Sequence, residues 1–163
     1  IDLFRGIAYN GAVGRFYLFL KKGGLLKWDK RIIIGADDSG FTLKEAVKEH
    51  LLKNGYDVTD VGTLSLDEPV VYYEVGRRVA KEVADKKIER GLLFCGTGMG
   101  VNLVANKFPG VYCGSARVFS PLKSAGIINN ANVLAMGGFI VGLKWVSKWP
   151  KPSKYDFPIG SSL

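Results

Sequence analysis

From residue 31 onward, short unbroken apolar runs alternate with segments whose apolar residues recur every three or four positions. RIIIGA at 31–36, GLLFCG at 91–96, GVYCGSA at 110–116 and NVLAMGG at 132–138 are runs of the first kind. Runs of that length without polar alternation predict strands covered on both faces. YDVTDVG at 56–62 alternates instead, with Tyr56, Val58 and Val61 as its apolar members, and also reads as a strand. Between the runs, Leu43, Ala46, Val47, His50 and Leu51 fall on one helical face, with Gly55 placed to end it. Tyr72, Val75, Val79 and Val83 make a second stripe within a helix expected over 70–85. VNLVANK at 101–107 suits a short helix, and 120–128 suits another. This alternation predicts a three-layer α/β/α Rossmann-like sandwich around a five-stranded parallel sheet.

In such sheets ligands bind beyond the carboxyl ends of the strands. Three exits therefore draw attention: 37–40, 95–100 and 137–138. The second reads Cys95, Gly96, Thr97, Gly98, Met99, Gly100 before the expected helix. Glycines there let backbone N–H groups turn inward, an arrangement that suits an anion. It is no Walker loop, because no Gly-Lys-Ser/Thr follows, and the third glycine of the dinucleotide fingerprint is out of place. A thiol among such amides can ionise and serve as base or nucleophile. Equally, Cys95 suits plain packing as a small hydrophobe. At the first exit, Asp37 and Asp38 supply a helix N-cap and leave one carboxylate for other work. His50, on an apolar stripe, reads as a packing residue, and Cys113, inside a run, as core.

Composition narrows the classes. The 163 residues give one domain, placed at 31–149, with an N-terminal extension of uncertain structure at 1–30 and an extended tail at 150–163. A hairpin within 15–28 is an alternative for part of the extension. Two cysteines cannot build a disulfide framework, so a reducing, cytoplasmic setting is expected. With one histidine, and no second carboxylate cluster beside Asp37 and Asp38, neither a metal nor another cofactor is expected. No tract nears the ~20 apolar residues of a membrane span. The net charge of +8 is scattered: residues 1–30 hold six Lys/Arg against two Asp, so half the excess lies there. Nucleic acid is not an expected partner on that distribution.

GADDSGFTLKEAVKEHLLKNGYDVTDVGT, FCGTGMGVNLVANKFPGV and NNANVLAMGG together resemble the ribose-5-phosphate isomerase type B and galactose-6-phosphate isomerase family over about 31–142. That resemblance implies aldose–ketose isomerisation of a sugar phosphate, without a metal, through an enediolate. It implies Cys95 as the base, Thr97 as the enediolate's side-chain partner and the amides of Gly96, Gly98, Met99 and Gly100 as its cradle. It places Asp37 on the sugar hydroxyls or ring oxygen, adds Asp38, Asn129 and Arg117 as substrate-binding positions, and implies a homodimer or homotetramer. Four positions depart from the family pattern. Asp38 and Ile128 stand where histidines are usual, the latter the ring-opening one, and Tyr112 and Phe139 stand where arginines are usual. A substrate of four carbons, which cannot close a stable ring through its esterified oxygen, needs no ring-opening group. A non-catalytic, sugar-phosphate-binding member of the family is the alternative.

Overall fold

The computed structural model describes residues 30–116, 130–143 and 146. Its elements are β1 (Arg31–Ala36), α1 (Phe41–Lys53), β2 (Asp57–Asp60), α2 (Tyr72–Ala84), β3 (Gly91–Cys95), α3 (Met99–Ala105), β4 (Cys113–Ala116) and β5 (Val133–Gly137). The five strands form one sheet in the order β2-β1-β3-β5-β4, with every pairing parallel. The expected α/β/α sandwich is therefore the fold.

Pleating divides the strand residues between two apolar layers. Ile32, Ile34, Leu92, Phe94, Leu134 and Met136 face α1, where Leu43, Val47 and Leu51 cover them. Ile33, Leu93, Cys95, Val133 and Ala135 face α2 and α3, against Val75, Val79, Val101 and Ala105. Both faces of β1, β3 and β5 are thus removed from water, and each fully buried Leu or Ile stabilises the fold by about 1.5–3 kcal/mol. The uninterrupted runs in the sequence are the consequence.

Local differences from expectation have local causes. Gly55 does follow α1 with φ +76, beyond Asn54 at the C-cap. The N-cap position of α1, however, is Gly40, with no side-chain cap. The Asp37 carboxylate instead takes the Gly40 N–H at 2.8 Å, one residue before the helix begins. Helix α2 starts at Tyr72, whose side chain is exposed and outside the buried stripe, its ring lying against Gly100 instead of the sheet. Helix α3 starts at Met99, two residues earlier than the apolar pattern indicated, since the left-handed Gly98 (φ +78) turns the chain directly into it. Strand β4 is shorter than its run. Asn106 accepts the Cys113 N–H at 2.9 Å and donates to the Cys113 carbonyl at 2.9 Å, pinning where it begins. The segment expected to be helical at 120–128 lies outside the described residues, as do 1–29 and 147–163. Among the described residues, no helix is long and apolar enough to cross a membrane.

Candidate active site

The strand order reverses between β1 and β3. The chain runs from β1 outward to β2, then returns to β3 on the other side. Loops leaving such a switch point diverge and open a crevice at the carboxyl edge. Register makes the crevice specific. Ala36 pairs with Phe94, and Cys95 with Gly137, so Asp37, Cys95 and Gly137 stand abreast on three adjacent strands about 5 Å apart.

The three exits are laced by backbone bonds. Asp37 N–H donates to the Phe94 carbonyl at 3.2 Å, Gly138 N–H to Cys95 at 2.8 Å, and Phe139 N–H to Gly96 at 3.0 Å. Side chains are excluded where the exits cross. A Cβ on Gly137 would sit 2.6 Å from the Thr97 carbonyl carbon, and one on Gly98 would sit 2.9 Å from that of Met136. The glycine loop is therefore held against β5 by close backbone contact.

Within this frame Cys95 is buried, 5% exposed, and its Sγ accepts the Gly98 N–H at 3.1 Å. Thr97 and Met99 are exposed, and the Thr97 hydroxyl accepts the Met99 N–H at 3.3 Å. Gly96 and Gly100 each carry an aromatic ring. A Cβ on Gly96 would meet the Phe139 ring at 2.7 Å, and one on Gly100 the Tyr72 ring at 2.8 Å. Two rings, 75% and 46% exposed, therefore bracket the loop. The sequence marks Phe139 only as a departure from the family pattern and does not mark Tyr72 as part of a site at all. Phe139 follows a strand by two residues, and Tyr72 resembles one more member of a helical stripe.

Beside the loop, Asp37 is buried and Asp38 exposed. Burial pushes the Asp37 carboxyl above the usual carboxylate range; the Gly40 N–H pulls against this, and the Asp38 charge adds to the rise. Asp38 accepts the Ser39 N–H at 2.7 Å and the Ser39 hydroxyl at 3.2 Å. Arg117, Asn129 and Ile128 lie outside the described residues. His50, in the last turns of α1, lies toward the opposite edge of the sheet; burial lowers its pKa, and Lys53 adds to the fall. Cys113 opens β4 at that same far edge and takes no part in the loop.

One supporting residue carries no sequence signal. Lys44 is 0% exposed, and its Nζ donates to Asp60 Oδ2 at 2.7 Å and to the Thr63 carbonyl at 2.6 Å, with Glu45 at 2.7 Å. The Thr63 N–H in turn donates to the Ala36 carbonyl at 2.8 Å. The exit of β2 is thus pinned to α1 and to the residue preceding Asp37.

Residues 32–150 match the Ribose/Galactose Isomerase family. The chain belongs to that family. Among its relatives, 4-deoxy-4-sulfo-D-erythrose isomerase of Clostridium sp. (strain MSTE9) is 43% identical, over 68% of this chain and 70% of that protein. D-erythrulose-4-phosphate isomerase 2 of Mycolicibacterium smegmatis is 38% identical, over 70% of this chain and 76% of that one. Ribose-5-phosphate isomerase B of Clostridium thermocellum superposes with a TM-score of 0.67 at 38% identity, covering 70% of this chain and 76% of the other. This ribose/galactose isomerase family member thus carries both the sequence pattern and the sheet of sugar-phosphate isomerases, with its crevice at the β1/β3 switch point.

Proposed function

We propose that this chain interconverts the aldose and ketose forms of a short sugar carrying a terminal anion, with Cys95 as the proton-transferring base. The observation that carries the reading is the Gly98 N–H aimed at Cys95 Sγ, at the strand exit beside Asp37. That contact fixes the sulfur at the strand exit, within reach of a substrate carbon held against the loop, which is the geometry a base requires. In this mechanism the thiolate takes the proton from carbon 2 of the aldose. The electron pair shifts into the carbon 1–carbon 2 bond and the carbonyl electrons onto oxygen 1, giving an enediolate. Amides of the 96–100 loop hold that charge, with the Thr97 hydroxyl beside them. The proton then passes from Cys95 to carbon 1, restoring the thiolate, as the oxygen 2 proton moves to oxygen 1, and the ketose forms with no net change in atoms. Asp37 orients the hydroxyls.

Four carbons are favoured by two features. Ile128 occupies the position where the family's ring-opening histidine is usual, and two of the relatives above are named for four-carbon substrates. Assembly belongs to the same reading. Met99 and Leu103 are exposed one helical turn apart on α3, beside the Tyr72 ring on Gly100. Such an apolar patch suits a second copy of the chain, as a homodimer or larger assembly.

The test is a panel of four-, five- and six-carbon aldose phosphates and sulfonates assayed with wild type and Cys95→Ala. Turnover of the four-carbon compounds, lost in the variant, supports the reading. Turnover that survives Cys95→Ala, or a preference for ring-closing substrates, contradicts it.

A further inference from the structure

Residues 63–72 run from one side of the crevice to the other. At one end, the Thr63 N–H donates to the carbonyl of Ala36, next to Asp37, at 2.8 Å. At the other, the Tyr72 ring lies against Gly100, the last glycine of the loop that follows Cys95. Between these ends Leu64, Leu66 and Val71 are exposed, and the Ser65 hydroxyl accepts the Asp67 N–H at 3.2 Å in a local turn. A ligand held between Asp37 and the 96–100 loop thus has this segment along its flank.

Two buried side chains hold the segment. Thr63 is 0% exposed and uses every polar group it has. Besides the N–H on Ala36, its hydroxyl accepts the Val70 N–H at 2.9 Å, closing 64–69 into a loop, and its carbonyl accepts Lys44 Nζ at 2.6 Å. Lys44 also fixes the strand exit just before it. Its Nζ donates to Asp60 Oδ2 at 2.7 Å and stands 5.1 Å from the centre of the Phe41 ring, while Asp60 accepts the Gly62 N–H at 3.2 Å. A Cβ on Gly62 would sit 2.2 Å from the Ala36 nitrogen, so the exit is pressed onto β1. From the other helical layer, Arg78 donates to the Val61 carbonyl at 3.1 Å. Cys95 and its loop have separate supports, the Gly138 N–H on the Cys95 carbonyl and the close approach of Gly98 to Met136. Loosening 63–72 therefore leaves the base where it is.

We propose that Lys44 and Thr63 are positioning residues for substrate binding: the Lys44 ammonium and the Thr63 hydroxyl hold 63–72 as one wall of the crevice. The assignment rests on the isomerase reading given above. Apparent affinity falls with the fraction of molecules in the competent arrangement. A wall in place about one-tenth of the time raises KM about ten-fold. At saturation, kcat is set by Cys95 and the loop amides and stays near its original value.

The experiment measures kcat and KM of the full chain for D-erythrose 4-phosphate, at a temperature where melts show every variant folded. Thr63→Val keeps the shape and the backbone bonds of the residue and loses the hydroxyl. It should raise KM by about ten-fold and leave kcat within about three-fold. Thr63→Ser restores the hydroxyl but gives up a buried methyl, so it should lower Tm and keep the wild-type KM. Lys44→Met should raise KM at least as much as Thr63→Val. A merely structural role acts through the folded fraction instead, lowering kcat with KM unmoved. KM unchanged in both Thr63→Val and Lys44→Met, or as high in Thr63→Ser as in Thr63→Val, overturns the assignment while leaving the isomerase reading standing. If wild type does not turn this sugar over, the failure lies with the isomerase reading, and calorimetric Kd values for the same compound decide the assignment. Weaker binding in Thr63→Val than in wild type and Thr63→Ser upholds it, and equal or absent binding in all three overturns it.

Discussion

Cys95 and Cys113 sit at opposite edges of one parallel sheet, the first closing β3 and the second opening β4. Their sulfurs meet opposite halves of the backbone. Cys95 Sγ receives an N–H, from Gly98 at 3.1 Å. The Cys113 thiol points at a carbonyl, that of Gly114 at 3.8 Å. Burial pushes the Cys113 thiol up to about 12, and the Asn102 side chain offsets little of this. A parallel strand's exit can be followed by a glycine turn that folds amides back over the last residue; its entry offers no such turn. Surroundings thus follow position in the topology, and the proposed roles follow the surroundings: packing for Cys113 at one edge and proton transfer for Cys95 at the other.

The largest expected contrast lies in rate. Cys95→Ala should lower kcat by ~10²–10⁴-fold, the usual worth of a positioned base, with little change in Tm. Cys113→Ala should leave kcat within about two-fold and lower stability by ~1 kcal/mol, as a small void in a half-buried site does. Parallel kinetics and thermal melts check both, and similar rate losses in the two variants would break the comparison.

Next in size is the frame. Lys44→Met removes a buried ammonium from Asp60 and Thr63 and should cost about 2–3 kcal/mol in denaturant unfolding, because the buried Thr63 carbonyl loses its donor while Asp60 keeps only the Lys48 ammonium at 2.8 Å. The same pair sets an acid limit. Burial alone would raise the Asp60 carboxyl, but Lys44, Lys48 and the Gly62 N–H hold it below its ordinary 3.8. An acid depressed in the folded state contributes stability that is present above that value and lost as pH falls through the lower folded one. Acid titration of wild type should therefore show a loss below about 3.8 that is smaller in Asp60→Asn, a variant already weakened at neutral pH, the remainder coming from surface carboxylates such as Glu74 and Asp85.

Smaller effects probe the loop. Gly98→Ala forces a Cβ into a left-handed conformation and against Met136, and should cost at least ~1–2 kcal/mol while disturbing the N–H on Cys95. It should therefore lower kcat as well as Tm. Thr97→Ala should lower kcat by about ten-fold or less, since backbone amides still hold the enediolate. A Thr97 effect as large as that of Cys95 would shift the chemistry from thiol to hydroxyl.

How much of this was legible in the sequence depends on range. Strands β1, β3 and β5 were plain because two covered faces demand apolar residues at every position. Cys95 and Asp37 were legible as strand exits for the same reason, and their alignment needed only the parallel order. Lys44 was not, because a lysine in an amphipathic helix reads as solvated. Its burial depends on Asp60 and Thr63, 16 and 19 residues away. Nor could the pattern show that Gly137 backs onto Thr97, or that Phe139 and Tyr72 lie on Gly96 and Gly100. Those contacts join segments that only the folded sheet brings together. The aspartate pair was expected to cap α1, but Gly40, two residues beyond Asp38, occupies that place, and the Asp37 carboxylate receives the Gly40 N–H from the preceding turn.

The central claim is that Cys95 moves a carbon-bound proton, and exchange with solvent reads this directly. The four-carbon aldose incubated in D2O with wild type should gain deuterium at the carbons that exchange the proton, followed by proton NMR, as the ketose accumulates. Cys95→Ala should bind the sugar with similar Kd yet incorporate deuterium at least ~10²-fold more slowly. Incorporation at the wild-type rate in that variant would contradict the claim and return Cys95 to packing alone.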